Sequence, residues 1–380
     1  MKNIAFSDFR RYNCRDMKTI GYKQFLKETF LEKARLHNLP AAGCFELTPL
    51  CNLDCRMCYV HLNDPAVRER MLSGEQWIAL MEQAIRSGMV DAVLTGGEAM
   101  THPDFWQIYM YLIDQGVSIH LKTNGILLTG ETVERLLEYP PFSIDVSLYG
   151  CDGESYKAVT GHNVFETVSG NVRTALAAGL PLGLAITPSA YMLPWIDRVL
   201  ETAAGFGTSV LLNGLLAEPK PETGRSLDEF RIDAEENARI RRRSRELLSS
   251  GRLSTEEQEE RELLGSAESR PHVSPRGLHC NGGRTGFVVW WTGAMGPCPN
   301  FPRDILCAEP LRTGFKAAWH EVNQGVKDYA VPEACHSCAV NTRCHYCPAR
   351  HGHYAVQHAC DPAVCAYWKS VCGDRTDCET

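Results

Sequence analysis

The chain has 380 residues, of which 44% are hydrophobic and 22% are charged, as in globular proteins with a well-developed core. A net charge of −7 argues against general binding to a phosphate backbone, so we expect no nucleic-acid partner. No stretch approaches the ~18 apolar residues of a membrane span, and no signal-peptide core is present, which predicts a cytoplasmic protein without a membrane partner. In that reducing compartment, 17 cysteines indicate metal or catalytic sites rather than disulfides.

The first predicted element is a helix from Tyr22 to Asn38, which Pro40 would end or follow. Residues 1–42 carry no recognisable chemistry. We interpret them as an N-terminal helical extension.

Residues 43–216 alternate between short apolar runs and helical periodicities, which predicts six strand–helix units. Units of roughly thirty residues imply a parallel sheet with right-handed crossovers. Such sheets place their chemistry at the carboxyl ends of the strands. The predicted strands are Cys44–Leu47, Val90–Leu94, Val117–Leu121, Ile144–Leu148, Leu180–Ile186 and Ser209–Leu215.

Three cysteines follow the first predicted strand: Cys51, Cys55 and Cys58, here called the triplet, with Tyr59 directly after them. Thiolates suit iron–sulfur clusters or zinc. A structural zinc site usually has four ligands in C-x2–4-C pairs, which this C-x3-C-x2-C spacing fits badly. Three thiolates would instead hold three irons of a [4Fe–4S] cube and leave the fourth iron open to a small molecule.

Polar residues also follow the next three strands. The second strand ends in Gly96-Gly97-Glu98, where two glycines let a backbone approach a ligand closely. Asn124 and Ser147 end the third and fourth strands, although a turn asparagine and a strand-end serine explain them equally well. Cys151 lies just beyond the fourth strand.

Residues 217–275 change character. Ser226 to Glu229 resembles a capping box that would start a charged helix. We interpret the helix as a solvated face balanced by the acidic run at 256–262, because no aromatic residues interleave with its arginines as they would at a nucleic-acid surface. Its basic residues are Arg239, Arg241, Arg242, Arg243 and Arg245.

Cysteine density rises after residue 276. Two short strands, Phe287–Trp291 and Gly293–Met295, predict a β-hairpin. The C-x2-C-x5-C-x2-C run from Cys335 is by itself compatible with a zinc knuckle. The cysteines of this region that could bind metal are Cys280, Cys298, Cys307, Cys335, Cys338, Cys344, Cys347, Cys360 and Cys365.

The triplet and its aromatic residue, with Gly-Gly-Glu on the next strand end, resemble the signature of the radical S-adenosylmethionine (SAM) enzymes. The C-terminal cysteine pattern resembles the SPASM extension found in many of them. The resemblance implies an α/β fold in which a partial (β/α)6 TIM-like barrel at 43–216 is followed by a charged helical linker at 217–275. A small cysteine-rich SPASM domain with a β-hairpin would occupy 276–380.

The resemblance also implies roles for single residues. The triplet would bind a [4Fe–4S] cluster that carries SAM. Gly96, Gly97 and Glu98 would contact the amino group of SAM, Asn124 and Ser147 its ribose or carboxylate, and Tyr59 would lie in the same cofactor site. One or two auxiliary [4Fe–4S] clusters would be held by Cys335, Cys338, Cys344 and Cys365 (outer) and by Cys280, Cys298 and Cys347 (inner).

Two departures from the family leave ligands open. The spacing from Cys344 to Cys347 is one residue shorter than usual, and no second cysteine follows Cys280 before Cys298. The inner cluster would therefore have an open iron, take Cys307 as its fourth ligand, or be absent. Cys360 competes with Cys365 for the outer cluster, and we favour Cys365 because of its distance from Cys347.

The implied reaction is reductive cleavage of SAM to a 5′-deoxyadenosyl radical, which abstracts hydrogen from a ribosomal peptide or protein during its maturation by crosslinking, epimerisation or oxidation. Flavodoxin or ferredoxin would supply the electron, and Cys151 would return a hydrogen atom to the substrate. A sulfatase-maturase-like enzyme or small-molecule dehydrogenase is the first alternative. The second is a non-catalytic iron–sulfur electron carrier or zinc-binding module.

Overall fold

The structure is a computed structural model that describes residues 31–62, 64–214, 216–248, 277–278, 280–336, 338, 344 and 346–373. The predicted N-terminal helix is described from Leu31 onwards. Its first residues, the acidic run at 256–262 and Leu215 of the sixth predicted strand lie outside the described residues.

One sheet organises the fold. Its strand order is β6-β5-β4-β3-β2-β1-β7-β8, so the first six strands are neighbours in the order in which the chain makes them. All pairs from β6 to β7 are parallel. Sequential parallel order is the topology of a (β/α) barrel segment. The strands are β1 (Ala42–Glu46), β2 (Asp91–Thr95), β3 (Ser118–Thr123), β4 (Ser143–Ser147), β5 (Leu182–Ile186), β6 (Val210–Leu212), β7 (Gly286–Val289) and β8 (Met295–Gly296).

Helices cover one face of this sheet. The helix after β1 starts at a capping box between Ser73 and Gln76, and its buried side carries Trp77 against Phe45 of β1. No helix in the described part of the chain is both long and apolar enough to span a membrane. The helices are α1 (Leu31–His37), α2 (Gly74–Arg86), α3 (Phe105–Asp114), α4 (Gly130–Glu138), α5 (Gly153–Thr160), α6 (Phe165–Ala177), α7 (Ile196–Gly205), α8 (Ala234–Leu248), α9 (Pro310–Thr313), α10 (Phe315–Asp328), α11 (Pro348–Val356) and α12 (Pro362–Gly373).

The predicted C-terminal hairpin is part of the same sheet. β7 pairs in parallel with β1, from Ala42 opposite Gly286, and β8 pairs antiparallel with β7. Phe287 of β7 packs edge-to-face on Phe45 and on Phe315 of α10. β7 and α10 therefore belong to the apolar core of the six-stranded segment, whereas the residues around Cys335 pack in a separate cluster with Phe301 and Tyr346.

The segment after β6 differs from its prediction. Ser226 makes no side-chain cap, so the predicted capping box is wrong. The charged helix starts only at Ala234, where Asp233 accepts the Glu236 N–H at 2.8 Å. The pattern from Ser226 to Glu229 does not cap a helix, because Leu227–Glu229 forms a separate 3-10 turn and Phe230 is buried directly after it.

The predicted solvated face is only partly present on α8: Arg242 and Arg245 are exposed, while other arginines of the helix contact its neighbours. Arg239 contacts Asp197 at 3.0 Å and Arg243 contacts Glu201 at 2.7 Å, and both acids lie on α7. Arg241 is buried, with its guanidinium 4.6 Å from the ring centroid of Tyr367 on α12. The helix therefore packs between α7 and α12. Its arginine side chains reach acidic residues of α7 on one side and an aromatic ring of α12 on the other.

Candidate metal centres

The loop that carries the triplet is anchored by backbone hydrogen bonds to the end of β2. The Gly97 N–H donates to Thr48 O at 2.7 Å, and the Glu98 N–H donates to Leu50 O at 2.9 Å. A Cβ on Gly97 would overlap the Leu50 carbonyl oxygen, and one on Gly96, whose φ is +142°, would overlap Thr48 O. The two glycines therefore let two backbone segments touch, which fixes where the triplet begins.

The three thiols of the triplet converge on one site, where N–H groups face two of the sulfurs. The Leu53 N–H lies 3.4 Å from Cys51 Sγ, and the His61 N–H lies 3.3 Å from Cys58 Sγ. The Asn124 side-chain amide lies 3.5 Å from Cys51 Sγ. N–H donors around sulfur are what thiolate ligands of iron need.

Burial raises the pKa of all three thiols. The pKa of Cys51 is raised to about 12, with the Glu98 and Cys58 charges adding to the burial. Burial raises the pKa of Cys55 well above its usual range, and repulsion from Cys58 and Cys51 adds to it. Converging thiolates of this kind are stabilised by a cationic metal centre, which deprotonates coordinating thiols outright. The residues present thus fit an iron–sulfur cluster.

Glu98 links the ends of β2 and β3. Its Oε2 accepts the Thr123 hydroxyl at 2.9 Å and the Asn124 N–H at 2.8 Å, while Oε1 accepts the Met100 N–H at 3.3 Å. Burial raises the Glu98 pKa to about 7, against these hydrogen bonds. Asn124 in turn donates to Asn52 Oδ1 at 2.6 Å, so Glu98 holds the residue that reaches the triplet.

A buried ion pair beside the triplet escaped the sequence analysis. Glu46, at the end of β1, is fully buried and pairs through Oε2 with Lys220 Nζ, while its Oε1 has no hydrogen-bond partner among the described residues. Lys220 lies over the Tyr59 ring at 5.5 Å and donates its N–H to Tyr59 O at 2.9 Å. Tyr59 therefore faces this pair. A charged residue at the end of a buried strand was the available signal for Glu46.

Arg225 is a second missed residue from the loop after β6. Its guanidinium lies 2.7 Å from Asp54 Oδ1, inside the triplet loop, and 3.3 Å from His61 O. The charges of Arg225 and Lys220 both lower the pKa of Cys58, against the larger effect of burial. The loop after β6 lies at the same edge of the sheet as the carboxyl ends of the other strands. Its position along the chain was therefore the available signal for Arg225 and Lys220.

Ser147 and Cys151 lie on the other side of the triplet. Ser147 hydrogen-bonds the hydroxyl of Tyr149, which also bonds Cys55 and so partly offsets the rise of its pKa. Cys151 Sγ lies 3.7 Å from Ser155 Oγ and 3.8 Å from Asp152 Oδ2, inside the capping turn of α5. The structure thus brings Ser147 to the triplet through Tyr149 and gives Cys151 contacts within its own turn.

The C-terminal cysteines form two groups. Charge repulsion between Cys280, Cys298 and Cys347, the inner set, adds to burial in raising the pKa of the Cys298 thiol. Cys307 packs against the cluster of Val288, Trp290 and Ala294. The outer set contains the five thiols of Cys335, Cys338, Cys344, Cys360 and Cys365, and burial together with the charges of neighbouring members raises the pKa of Cys335, Cys344, Cys360 and Cys365.

Cys335 Sγ and Cys360 Sγ lie 3.2 Å apart. Thiolates on different irons of a cube point away from its corners, so two sulfurs this close do not both bind one cluster. No three Cys, His, Asp or Glu side chains in the described ranges gather tightly enough around one point to hold a single metal ion. A cube offers each thiolate a different iron and does not require that arrangement.

Comparisons with known proteins agree with this geometry. Residues 45–194 match the Radical SAM superfamily, a range that spans β1 to β5 and the triplet. The sporulation killing factor maturation protein SkfB of Bacillus subtilis (strain 168) is 26% identical over 266 residues, 68% of this chain and 60% of SkfB. The chain thus spans less than two thirds of that relative's length.

Two further matches cover more of the chain. The AdoMet-dependent heme synthase of Methanosarcina barkeri is 26% identical over 333 residues, 82% of this chain and 92% of the synthase. The crystal structure of Streptococcus suis SuiB bound to S-adenosylmethionine superimposes with a TM-score of 0.66 at 15% identity, covering 88% of this chain and 80% of SuiB. SuiB bound to precursor peptide SuiA gives a TM-score of 0.64.

These matches confirm the predicted fold class, including the region after the barrel segment. The family match covers the triplet and the Gly-Gly-Glu strand end, and the match to the heme synthase covers 82% of the chain. Residues 45–194 are therefore a radical SAM domain, and the chain as a whole has the fold of SuiB.

Proposed function

We propose that this protein is a radical SAM enzyme that modifies a ribosomal peptide or protein, with its SAM-binding [4Fe–4S] cluster on Cys51, Cys55 and Cys58. The observation that carries the proposal is the convergence of three thiols, one buried and two partly buried, at the carboxyl edge of a parallel sheet, with N–H donors at two of the sulfurs. When bound, the cluster and SAM supply one-electron cleavage to a 5′-deoxyadenosyl radical that abstracts substrate hydrogen.

The residues proposed to contact SAM are Gly96, Gly97, Glu98, Asn124, Ser147 and Tyr59. Glu98 Oε1 accepts one N–H, from Met100 at 3.3 Å, and therefore keeps a lone pair for an ammonium group. Glu98 and Asn124 also position the triplet loop, so these two residues would couple cofactor binding to cluster geometry. The ion pair of Glu46 and Lys220 contacts Tyr59, and we propose that it helps to exclude water from this side of the site.

The C-terminal thiols are proposed to hold two auxiliary [4Fe–4S] clusters. For the outer one we propose Cys335, Cys338, Cys344 and Cys365, because the contact of Cys360 with Cys335 leaves Cys360 without an iron of its own. For the inner one we propose Cys280, Cys298 and Cys347, with one iron open. The proposed domain limits are 1–42, 43–216, 217–275 and 276–380. They divide the sequence rather than separate folding units, because β7 of the last segment pairs with β1 of the barrel segment.

A peptide substrate is supported by the relatives. SkfB is named as a maturation protein for a sporulation killing factor, and SuiB has been crystallised with a precursor peptide. The proposed product is a crosslinked, epimerised or oxidised peptide, and the proposed electron donor is a flavodoxin or ferredoxin. A cytoplasmic location fits cysteines that are all free in the described part of the chain.

A small-molecule substrate is the second candidate. It is favoured by the match to the AdoMet-dependent heme synthase, which covers 92% of that protein. The two candidates share the chemistry at the triplet. They differ in the substrate that the barrel interior must bind, a peptide or a small molecule.

The test is anaerobic reconstitution with iron and sulfide, reduction, and addition of SAM, followed by mass spectrometry for 5′-deoxyadenosine. We expect the native chain to form it and the Cys51/Cys55/Cys58→Ala variant to form none. Native protein with intact clusters and no 5′-deoxyadenosine, even with peptides encoded beside the gene, would contradict the proposal. Turnover that rises with such a peptide supports the peptide candidate, and turnover unaffected by it favours a small molecule.

Cys151→Ala belongs in the same assay. A chain that returns a hydrogen atom from Cys151 should keep forming 5′-deoxyadenosine and change its product after this substitution. Unchanged product and turnover would end that role for Cys151, whose thiol hydrogen-bonds within its own turn.

A further inference from the structure

A histidine lies against one thiol of the outer set. His351 is 1% exposed on α11, and its Nε2 lies 3.9 Å from Cys344 Sγ. Its other ring nitrogen, Nδ1, faces the backbone N–H of Asp361 at 2.9 Å. Both ring nitrogens are therefore in polar contacts, and one of the two partners is a sulfur.

The contact with Asp361 fixes the tautomer of this ring. A backbone N–H can only donate, so Nδ1 must accept and carries no proton. The ring is then neutral, with its single proton on Nε2. That proton faces Cys344 Sγ, and His351 is a hydrogen-bond donor to the sulfur.

The surrounding contacts hold the ring in this orientation. His351 stacks on Tyr346 with ring centroids 4.5 Å apart and an interplanar angle of 11°. The Asp361 carboxylate accepts the Arg231 guanidinium at 2.9 and 2.7 Å and the Ala363 N–H at 2.8 Å, which fixes the backbone that binds Nδ1. A row of contacts thus runs from Arg231 through Asp361 and His351 to Cys344.

We propose that His351 is a positioning residue that donates a hydrogen bond to the Cys344 thiolate and raises the reduction potential of the outer cluster. The inference rests on the proposed function, in which Cys344 is a cluster ligand. A hydrogen bond to a ligating sulfur withdraws electron density from the irons and stabilises the reduced, more negative cluster. A higher potential favours electron flow from the inner site to the outer one.

The experiment is a redox titration of the reconstituted full chain, followed by electron paramagnetic resonance. His351→Phe keeps a stacked ring and removes the donor, and we expect the outer signal to shift to lower potential. A shift of threefold to tenfold in the reduction equilibrium is expected, and tenfold corresponds to 59 mV for a one-electron couple. Tyr346→Phe, which changes the stacked partner and leaves Nε2 in place, is the matched control and should not shift it.

His351→Gln and His351→Asn supply a second comparison in case the phenylalanine variant loses the outer cluster. A glutamine amide reaches the position of Nε2, and an asparagine amide reaches that of Nδ1. We expect glutamine to keep the potential near that of the native chain and asparagine to lower it. An unshifted potential in His351→Phe with the cluster intact, or equal shifts in Gln and Asn, would overturn the role of His351.

Iron content separates this outcome from failure of the proposed function. The outer signal is assigned by its loss in Cys335→Ala and its persistence in Cys280→Ala and in the triplet alanine variant. If native protein shows no signal with that behaviour, the outer cluster itself is refuted, and the inference falls with it. If the signal is present and insensitive to His351, only the inference fails.

Discussion

The triplet and the outer set hold their thiols by different means. The triplet loop is fastened by backbone hydrogen bonds from Gly97 and Glu98 to Thr48 and Leu50, and it continues directly from β1. The outer thiols come from a 3-10 turn at Glu333–Cys335, from segments that flank α11 and α12, and from α12 itself, which carries Cys365, and side chains support them. The first site is thus a property of the sheet, and the second depends on contacts such as that of His351 with Asp361.

This difference predicts opposite sensitivities. At the triplet, a substitution in the backbone framework should do the most damage, because a Cβ on Gly96 or Gly97 would overlap the backbone that holds the loop. At the outer set, where five thiols converge, one cysteine should be dispensable. The predictions below test this contrast, from the largest expected effect to the smallest.

Gly97→Ala should abolish function at the triplet. Its Cβ would overlap Leu50 O and displace the loop, and a shift of about 1 Å at a reacting centre costs about a hundredfold in rate. We expect 5′-deoxyadenosine formation to fall at least that far and iron content to drop by about four per chain, the content of one cube. Gly170→Ala, whose Cβ would meet nothing within 4 Å, is the control and should leave both unchanged. A fully active Gly97→Ala chain would show that the close contact of Gly97 with Leu50 does not position the triplet.

Cys365→Ala and Cys360→Ala test the redundancy of the outer set. We expect Cys365→Ala to lose about four irons per chain and Cys360→Ala to keep them, because Cys360 contacts Cys335 at 3.2 Å. Both variants should still cleave SAM at the triplet. Iron analysis and 5′-deoxyadenosine assays of the pair decide this, and loss of iron in Cys360→Ala alone would exchange the two assignments.

Glu98→Gln should change how stability depends on pH. The buried carboxyl has a pKa of about 7, against 4.5 when unperturbed, so its protonated form stabilises the fold below pH 4.5 and that contribution is lost as pH rises through 7. We expect the native chain without SAM to lose about 2–3 kcal/mol of unfolding free energy over this range from Glu98 alone.

The measurement is denaturant unfolding of Glu98→Gln and the native chain at pH 5 and pH 8 under anaerobic conditions. The variant should lose less stability over that interval. Exposed Glu131→Gln is the matched control and should follow the native chain. Parallel curves for the native chain and Glu98→Gln would mean that Glu98 stays ionised throughout.

Arg243→Ala should have the smallest effect. Its pairs with Glu201 and Glu246 are exposed, and solvent screens exposed ion pairs strongly. We expect only a small loss of unfolding free energy that shrinks further in high salt, measured by thermal or denaturant unfolding. A loss several times larger would show that α8 is held to α7 by charge rather than by its buried side.

The sequence predicts the order of the strands, the edge that carries the chemistry and the place of the triplet. Strand limits deviate by a few residues, as for Val210–Leu212 against the predicted Ser209–Leu215, because apolar runs do not mark where pairing ends. The capping box at Ser226 is wrong because a four-residue pattern does not reveal that Phe230 is buried behind it. The prediction of a solvated arginine face holds for Arg242 and Arg245 and fails for Arg241, which is buried against Tyr367 of α12.

By itself, the sequence determined the spacing of the thiols and the alternation of strands and helices, because both are periodic and local in the chain. Only the tertiary structure decided that Glu46 meets Lys220, that Gly97 lies on Leu50, and that His351 faces Cys344 with its tautomer fixed by Asp361. These contacts join residues from separate elements. Their geometry follows from how the sheet, the loop after β6 and the C-terminal helices pack, which no local pattern encodes.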